Sequence, residues 1–259
     1  MPAWQTWIDF LFPPRCAACD RFLAPEDGYG VCAACRSEFR EVKSPICVQC
    51  GVPLITGPPE DRLCETCLRK PPAYEVCRAR FVYHGPLLQV IHRFKYAGKA
   101  RLADILGPWL GGLARQWLPD DLRAVVMPVP LYPRRLRERG FNQSLLLARH
   151  VAKEKGLPVD FLSLRRVRDT PSQAALGRDA RRTNVRAAFA VTDPGGVKER
   201  DIVLVDDVST TGSTLDACSR ALLRAGARRV FCLVLARAPV HSNETEVKHG
   251  TLQSQDSAS

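Results

Sequence analysis

The sequence has no apolar run that approaches the 18 residues a membrane-crossing helix needs. Its most apolar early stretch, residues 4–12, is short and carries Asp9, with neither a basic leader nor a small-residue cleavage site beside it. A soluble, cytoplasmic protein without membrane insertion is the expectation. Large apolar side chains are scarce between residues 13 and 70, where turn formers such as Pro13, Pro14, Pro45, Pro53 and Gly57-Pro58-Pro59 stand instead. That segment has too little apolar surface to fold on a core of its own. It also lacks a dense basic block interleaved with aromatics, so direct reading of nucleic acid there has weak support. His92 has no acidic partner nearby in sequence, which favours an exposed or satisfied histidine over a catalytic base.

What the chain does have is length and positive charge. At 259 residues with 46% hydrophobic content it exceeds a typical single domain and can bury a sizeable core. Two units are expected, meeting at Pro71-Pro72: residues 1–72, residues 73–237, and a polar tail over 238–259 read as disordered. The net charge of +11 points to an anionic partner, and a polyphosphorylated sugar and a nucleic acid both qualify.

Eight of the eleven cysteines form four C-x-x-C pairs: Cys16/Cys19, Cys32/Cys35, Cys47/Cys50 and Cys64/Cys67. Each pair can give two thiolates to one tetrahedral metal, and four thiolates make a closed structural zinc site. The near-repeat predicts two tandem four-cysteine ribbons holding two Zn²⁺, with metal supplying most of the folding energy. Pairing in sequence closes the shorter loops, while an interleaved cross-brace uses the same residues. Cys77, Cys218 and Cys232 stand outside this pattern and read as buried thiols.

The stretch that organises the remainder is 202–215, IVLVDDVSTTGSTL. Four apolar residues, Ile202 to Val205, read as a strand buried on both faces, with Asp206 and Asp207 following at its C-terminal end. Ser209, Thr210, Thr211, Gly212, Ser213 and Thr214 then lead into a helical pattern ending near Gly226. Such a turn can wrap a phosphate, because free backbone N–H groups, the helix dipole and hydroxyl donors converge where glycine permits close approach. The two acids repel a phosphate, so they suit sugar hydroxyls or a phosphate-bound cation. Phosphate, polyol and metal together describe a phosphorylated sugar.

Elsewhere the pattern predicts strands at 77–83, 124–127 and 230–236, and helices at 86–96, 102–118 and 144–155. Pro128, Pro130 and Pro133 take the chain out of the sheet into a loop that carries Arg134, Arg135, Arg137 and Arg139. Residues 164–189 are charged and poor in apolar side chains. They are expected to form a mobile lid that returns to a strand at 187–191.

The 202–215 order resembles the phosphoribosyl-pyrophosphate (PRPP) signature of type I phosphoribosyltransferases. Four C-x-x-C knuckles, Lys95-Tyr96-Ala97-Gly98, Val129-Pro130, Arg139-Gly140-Phe141-Asn142-Gln143 and the Thr170 to Asn184 block together resemble the ComF/GntX family over residues 12–237. This resemblance implies an α/β fold, a mostly parallel sheet flanked by helices, preceded by a double zinc ribbon. It also implies a link to natural competence and DNA use. Asp206 and Asp207 would face the ribose, and residues 209–214 would hold the 5′-phosphate. Lys95, Leu131, Tyr132, Arg134 and Arg139, with Arg178 and Arg182 from the lid, would serve the rest of PRPP together with Mg²⁺. Two functions follow: phosphoribosyl transfer to a nitrogen acceptor, or a non-catalytic PRPP-binding adaptor that handles single-stranded DNA or docks to uptake machinery.

Overall fold

The computed structural model describes residues 13–96, 98–169 and 188–239. Its centre is a parallel four-stranded sheet in the order β1, β6, β5, β2. The strands are β1 (Val76–Val82), β2 (Ala124–Pro128), β5 (Asp201–Ser209) and β6 (Arg229–Arg237). Strands β3 (Leu164–Arg166) and β4 (Phe189–Val191) pair antiparallel in a small separate sheet. Seven α-helices lie among the described residues: α1 (Ala33–Ser37), α2 (Glu65–Arg69), α3 (Pro86–Tyr96), α4 (Ala103–Trp117), α5 (Pro133–Arg139), α6 (Gln143–Lys155) and α7 (Ser213–Arg224).

Side chains alternate across the pleat, so the doubly buried strands feed two cores. Val126, Val203, Val205, Leu233 and Leu235 join Leu87, Ile91, Leu106, Leu110 and Leu147 under α3, α4 and α6. Val125, Met127, Ile202, Leu204, Cys232 and Val234 join Leu215, Cys218 and Leu222 under α7. Cys77, Cys218 and Cys232 are buried within the second core, in keeping with their reading as packed thiols.

The four-cysteine segments divide between the same two faces. Cys16, Cys32 and Cys35 belong to the first core, and Arg93 of α3 donates to the Cys16 carbonyl at 3.1 Å and pairs with Asp20 at 2.9 Å. Cys47, Cys50 and Cys67 belong to the second core and lie against the start of β1, where Cys77 N–H donates to the Gln49 carbonyl at 2.7 Å. Each ribbon therefore borrows apolar surface from the sheet domain that its own sequence does not supply.

Three local expectations are corrected. The arginine-rich stretch after β2 is not a loop throughout but the short helix α5. Pro133 stands in its first turn with φ already helical, Arg134 and Glu138 pair at 3.5 Å one turn apart, and Gly140 closes it at φ +76°. Residues 164–166 form strand β3, because Leu164 and Phe189 are buried in the second core. Strand β5 does not stop before the acidic pair but continues to Ser209, held by β6 in register from Asp206↔Val234 to Ser209↔Arg237. Its other neighbour, β2, ends at Pro128 opposite Val205. The acids thus stand where one side of the sheet has opened. The lid reading, with Arg178 and Arg182, and the tail from residue 240 onward lie outside the described residues.

Candidate functional site

The last strand residues of β5 and the first turn of α7 enclose an open concavity lined by Asp206, Val208 and residues 209–215. Gly212 adopts φ +77°, immediately before α7, and a Cβ there would come within 3.3 Å of the Tyr74 hydroxyl. The left-handed backbone favours glycine, and the space beside Tyr74 is tight for any side chain. Within the turn, the Thr211 and Ser213 hydroxyls lie 2.7 Å apart. α7 has no side-chain cap at Gly212, its Ser213 N–H donates to the Thr211 hydroxyl at 3.4 Å, and the positive end of its dipole faces the concavity.

Asp206 and Asp207 have different surroundings. Asp206 Oδ1 accepts from the Ser144 hydroxyl at 2.8 Å and from the Asp207 N–H at 2.9 Å. Asp207 Oδ1 accepts from the Val208 N–H at 2.8 Å, and its Oδ2 lies 2.8 Å from the Lys95 ammonium at the end of α3. Burial, and then the charge of Asp207, push Asp206 up to about 7, despite the opposing effects of Lys95 and Ser144. For Lys95, burial works against the charge, but the Asp207 carboxylate outweighs it and holds the lysine above its ordinary value. The site thus carries two carboxylates, one cation and a proton poised near neutrality.

The motif around Gly140 is scaffold that presents this site. Arg139 donates to Gln143 at 3.1 Å and to the Tyr96 hydroxyl at 3.2 Å. Phe141 packs against Phe94, with ring centroids 5.8 Å apart. The Asn142 side chain caps α6 through the Ser144 N–H and reaches back to the Val129 carbonyl. Buried Gln143 donates to the Lys95 carbonyl at 3.3 Å. The motif thereby fixes both Lys95 and Ser144 relative to β5.

Lys95, Asp206, Asp207 and residues 209–214 are thus assembled together. Leu131, Tyr132, Arg134 and Arg139 are not among the lining residues of the concavity. Arg134 instead pairs with Asp169 at 2.8 Å, and Arg139 stacks over Tyr96. His92 is exposed and packs against the Tyr96 ring at 4.9 Å between centroids, away from any described acid. Gln143 stands in the motif that the sequence marks, whereas Ser144, Tyr74 and Arg237 carry no site reading there. Only Ser144, directly after the Gly140 motif, left a local signal.

The eight knuckle cysteines gather into two clusters, Cys16/Cys19/Cys32/Cys35 and Cys47/Cys50/Cys64/Cys67, so pairing in sequence is the observed one. Within each, the four sulfurs lie within 4.8 Å of one another, with Cys19 to Cys32 at 3.9 Å and Cys50 to Cys64 at 3.7 Å. A tetrahedral Zn²⁺ with Zn–S near 2.3 Å spaces its sulfurs about 3.8 Å apart, so the donor sets fit two structural zinc ions. Hydrogen bonds from the Cys50 thiol and from the N–H groups of Cys50, Cys64 and Gln49 bring Cys47 down to about 4 against the opposing effect of burial, whereas Cys50 and Cys67 beside it are pushed up.

Comparison with known proteins agrees with this architecture. Residues 7–68 match the double zinc ribbon domain and residues 142–253 the phosphoribosyl transferase domain. The DNA utilization protein YhgH of Salmonella typhi is 35% identical over 226 residues, covering 85% of this chain and 96% of that protein. Competence protein F of Haemophilus influenzae is 30% identical over 81% of this chain and 91% of its own length. Competence protein ComFC of Bacillus subtilis is 27% identical, over 76% of this chain and 79% of its own. With relatives 30–35% identical along nine-tenths or more of their length, and with both domain models matched, the chain belongs to the ComF/GntX family of double-zinc-ribbon phosphoribosyltransferase-like proteins.

Proposed function

We propose that this protein binds PRPP in the β5–α7 turn and transfers its phosphoribosyl group to a nitrogen acceptor in the service of DNA utilisation. The observation that carries this reading is the juxtaposition of a glycine-centred phosphate turn with two carboxylates at the open end of β5. In open parallel sheets ligands collect beyond the strand C-termini, and here β2 stops opposite Val205 while β5 carries the acids on past it. Residues 209–214 would hold the 5′-phosphate, and Asp206 and Asp207 the ribose hydroxyls.

Positive charge builds on the ribose as the bond from C1 to pyrophosphate lengthens. The paired carboxylates place negative charge beside it, fixed in advance by Ser144 and by backbone N–H groups. Lys95 balances them until ligand arrives and is then available to the departing pyrophosphate. Mg²⁺, bound with PRPP, would neutralise pyrophosphate charge. Arg134 and Arg139, from α5, and Arg178 and Arg182 would add cations once PRPP draws them in. Residues 73–237 form the transferase unit in this reading, and the cytoplasm, where PRPP is made, is its compartment.

Turnover is tested by pyrophosphate release from Mg-PRPP across a panel of bases and amines. Release with one acceptor class that vanishes in Asp206→Asn supports transfer. PRPP binding with no release across the panel favours the second reading, a PRPP-binding adaptor that handles single-stranded DNA or docks to uptake machinery. The net charge of +11 and the relatives named for DNA utilization and competence favour that alternative. Salt-sensitive DNA binding that survives loss of both aspartates would mark it.

A further inference from the structure

The two acids do not offer their oxygens equally. Asp207 has both engaged: Oδ1 accepts from the Val208 N–H at 2.8 Å, and Oδ2 pairs with the Lys95 ammonium at 2.8 Å. Asp206 has only Oδ1 engaged, by the Ser144 hydroxyl at 2.8 Å and by the Asp207 N–H at 2.9 Å. Among the described residues its Oδ2 accepts no hydrogen bond, and Asp206 is the acid of the pair that lines the concavity. One carboxylate oxygen is therefore open to a ligand before any ion pair breaks.

Ser144 is placed for this by the start of α6. It is 4% exposed in the first turn of that helix, and its own N–H is taken by the Asn142 side chain at 3.0 Å. Asn142 in turn donates to the Val129 carbonyl at 3.1 Å, and the Val129 N–H donates to the Val205 carbonyl at 2.9 Å. The hydroxyl thus approaches Asp206 from a frame anchored on β5 one residue before it. Buried Gln143 ties the same turn to the Lys95 carbonyl at 3.3 Å, so the partners of both acids are set from one place. The charged and titratable groups that act on Asp206 are Asp207 on β5, Lys95 of α3 and Arg166 of β3, with the buried thiols Cys77, Cys218 and Cys232 on β1, α7 and β6. Ser144 differs from all of them in being a neutral donor at every working pH. A hydrogen bond donated to a carboxylate favours its ionised form.

We propose that Ser144 is a positioning residue: its hydroxyl holds Asp206 Oδ1 and so aims Oδ2 at the ribose, making Asp206 the acid that meets PRPP first. Asp207 joins when Lys95 turns to the pyrophosphate. This inference rests on the assignment of the two acids to the ribose hydroxyls. Without the Ser144 hydroxyl the carboxylate is freer to rotate about its last bond, and its charged form loses a donor.

The test compares the full-length zinc-loaded protein with Ser144→Ala from about pH 6 to about 8.5, in two readouts. Calorimetric titration with Mg-PRPP gives the affinity. Carboxyl carbon resonances of aspartate-labelled protein without ligand give the titration of Asp206, identified by the signal that Asp206→Asn removes. The expected result is a Kd about tenfold higher near pH 7 and, in both readouts, a midpoint moved upward by about half a unit to one unit. Ser144→Cys keeps the shape with a poor donor, shifts both in the same direction by less, and serves if the alanine variant does not fold. A carboxyl midpoint that stays put means that the hydroxyl does not act on Asp206, and it overturns the proposal. A moved carboxyl midpoint with PRPP affinity unchanged at every pH, or weakened by the same factor at every pH, overturns it as well. No PRPP binding by the wild type, with the carboxyl midpoint still moved in the variant, overturns the ribose assignment and the positioning role with it.

Discussion

The Lys95 ammonium stands 2.8 Å from Asp207 Oδ2, joining the end of α3 to the opened edge of β5. Lys95 also lowers the proton affinity of Asp206, against the larger effects of burial and of Asp207. If the ionised pair is what grips the ribose, PRPP binding strengthens as pH rises through about 7, the range in which Asp206 gives up its proton. Lys95→Met removes a nearby cation, so the midpoint of that pH profile should move upward by about one unit. A calorimetric series from pH 6 to about 8.5 reads this directly. Uniform weakening at every pH with an unmoved midpoint would mean that Lys95 only contacts phosphate.

Asp206 also links function to stability. Its folded value of about 7 lies above the ordinary 3.8, so between those limits the folded chain keeps a proton that the unfolded chain has lost. Stability conferred by this group is therefore present at low pH and falls as pH rises toward neutrality. Asp206→Asn keeps an acceptor for Ser144 and Asp207 and sheds the half-buried charge. It should raise the thermal midpoint above pH 7 by about 2–4 °C while removing PRPP binding. A midpoint lowered at neutral pH would contradict the picture of a charge held at a cost for function.

Gly212 combines φ +77° with a neighbour only 3.3 Å from where a Cβ would stand. Gly212→Ala should cost about 1 kcal/mol of stability from the left-handed backbone alone. The larger effect falls on the site, with PRPP affinity reduced about tenfold or more because the turn must shift away from Tyr74. Metal content and the cobalt spectrum of both clusters should be unchanged. A variant that binds PRPP normally would show that the turn does not close around the phosphate.

The sheet was legible because its signals are local. Four consecutive apolar residues from Ile202, and the helical spacing of Leu87, Val90, Ile91 and Phe94, translate directly into buried elements. The turn was legible because an acidic pair beside a hydroxyl-rich glycine turn has few other uses. Helix α5 was missed because clustered arginines suggest mutual repulsion, whereas Pro133, Glu138 and the Gly140 cap favour one helical turn after another. The end of β5 was missed because strand length here depends on a partner, β6, distant in sequence. Cysteine pairing stayed open because two arrangements use the same residues, and only their placement on opposite faces of the sheet separates them. Ser144 and Arg237 act through contacts made only after folding. No periodicity marks a serine that meets Asp206, or an arginine that meets Ser209 and Thr210.

The most direct measurement is calorimetric titration of the zinc-loaded protein with PRPP, with and without Mg²⁺, repeated on the Asp206→Asn/Asp207→Asn double variant. The account predicts saturable one-to-one binding that needs Mg²⁺ and is lost in the double variant, while the variant retains its fold and both metal equivalents. Binding of undiminished affinity in the double variant, or none in the wild type, would contradict it.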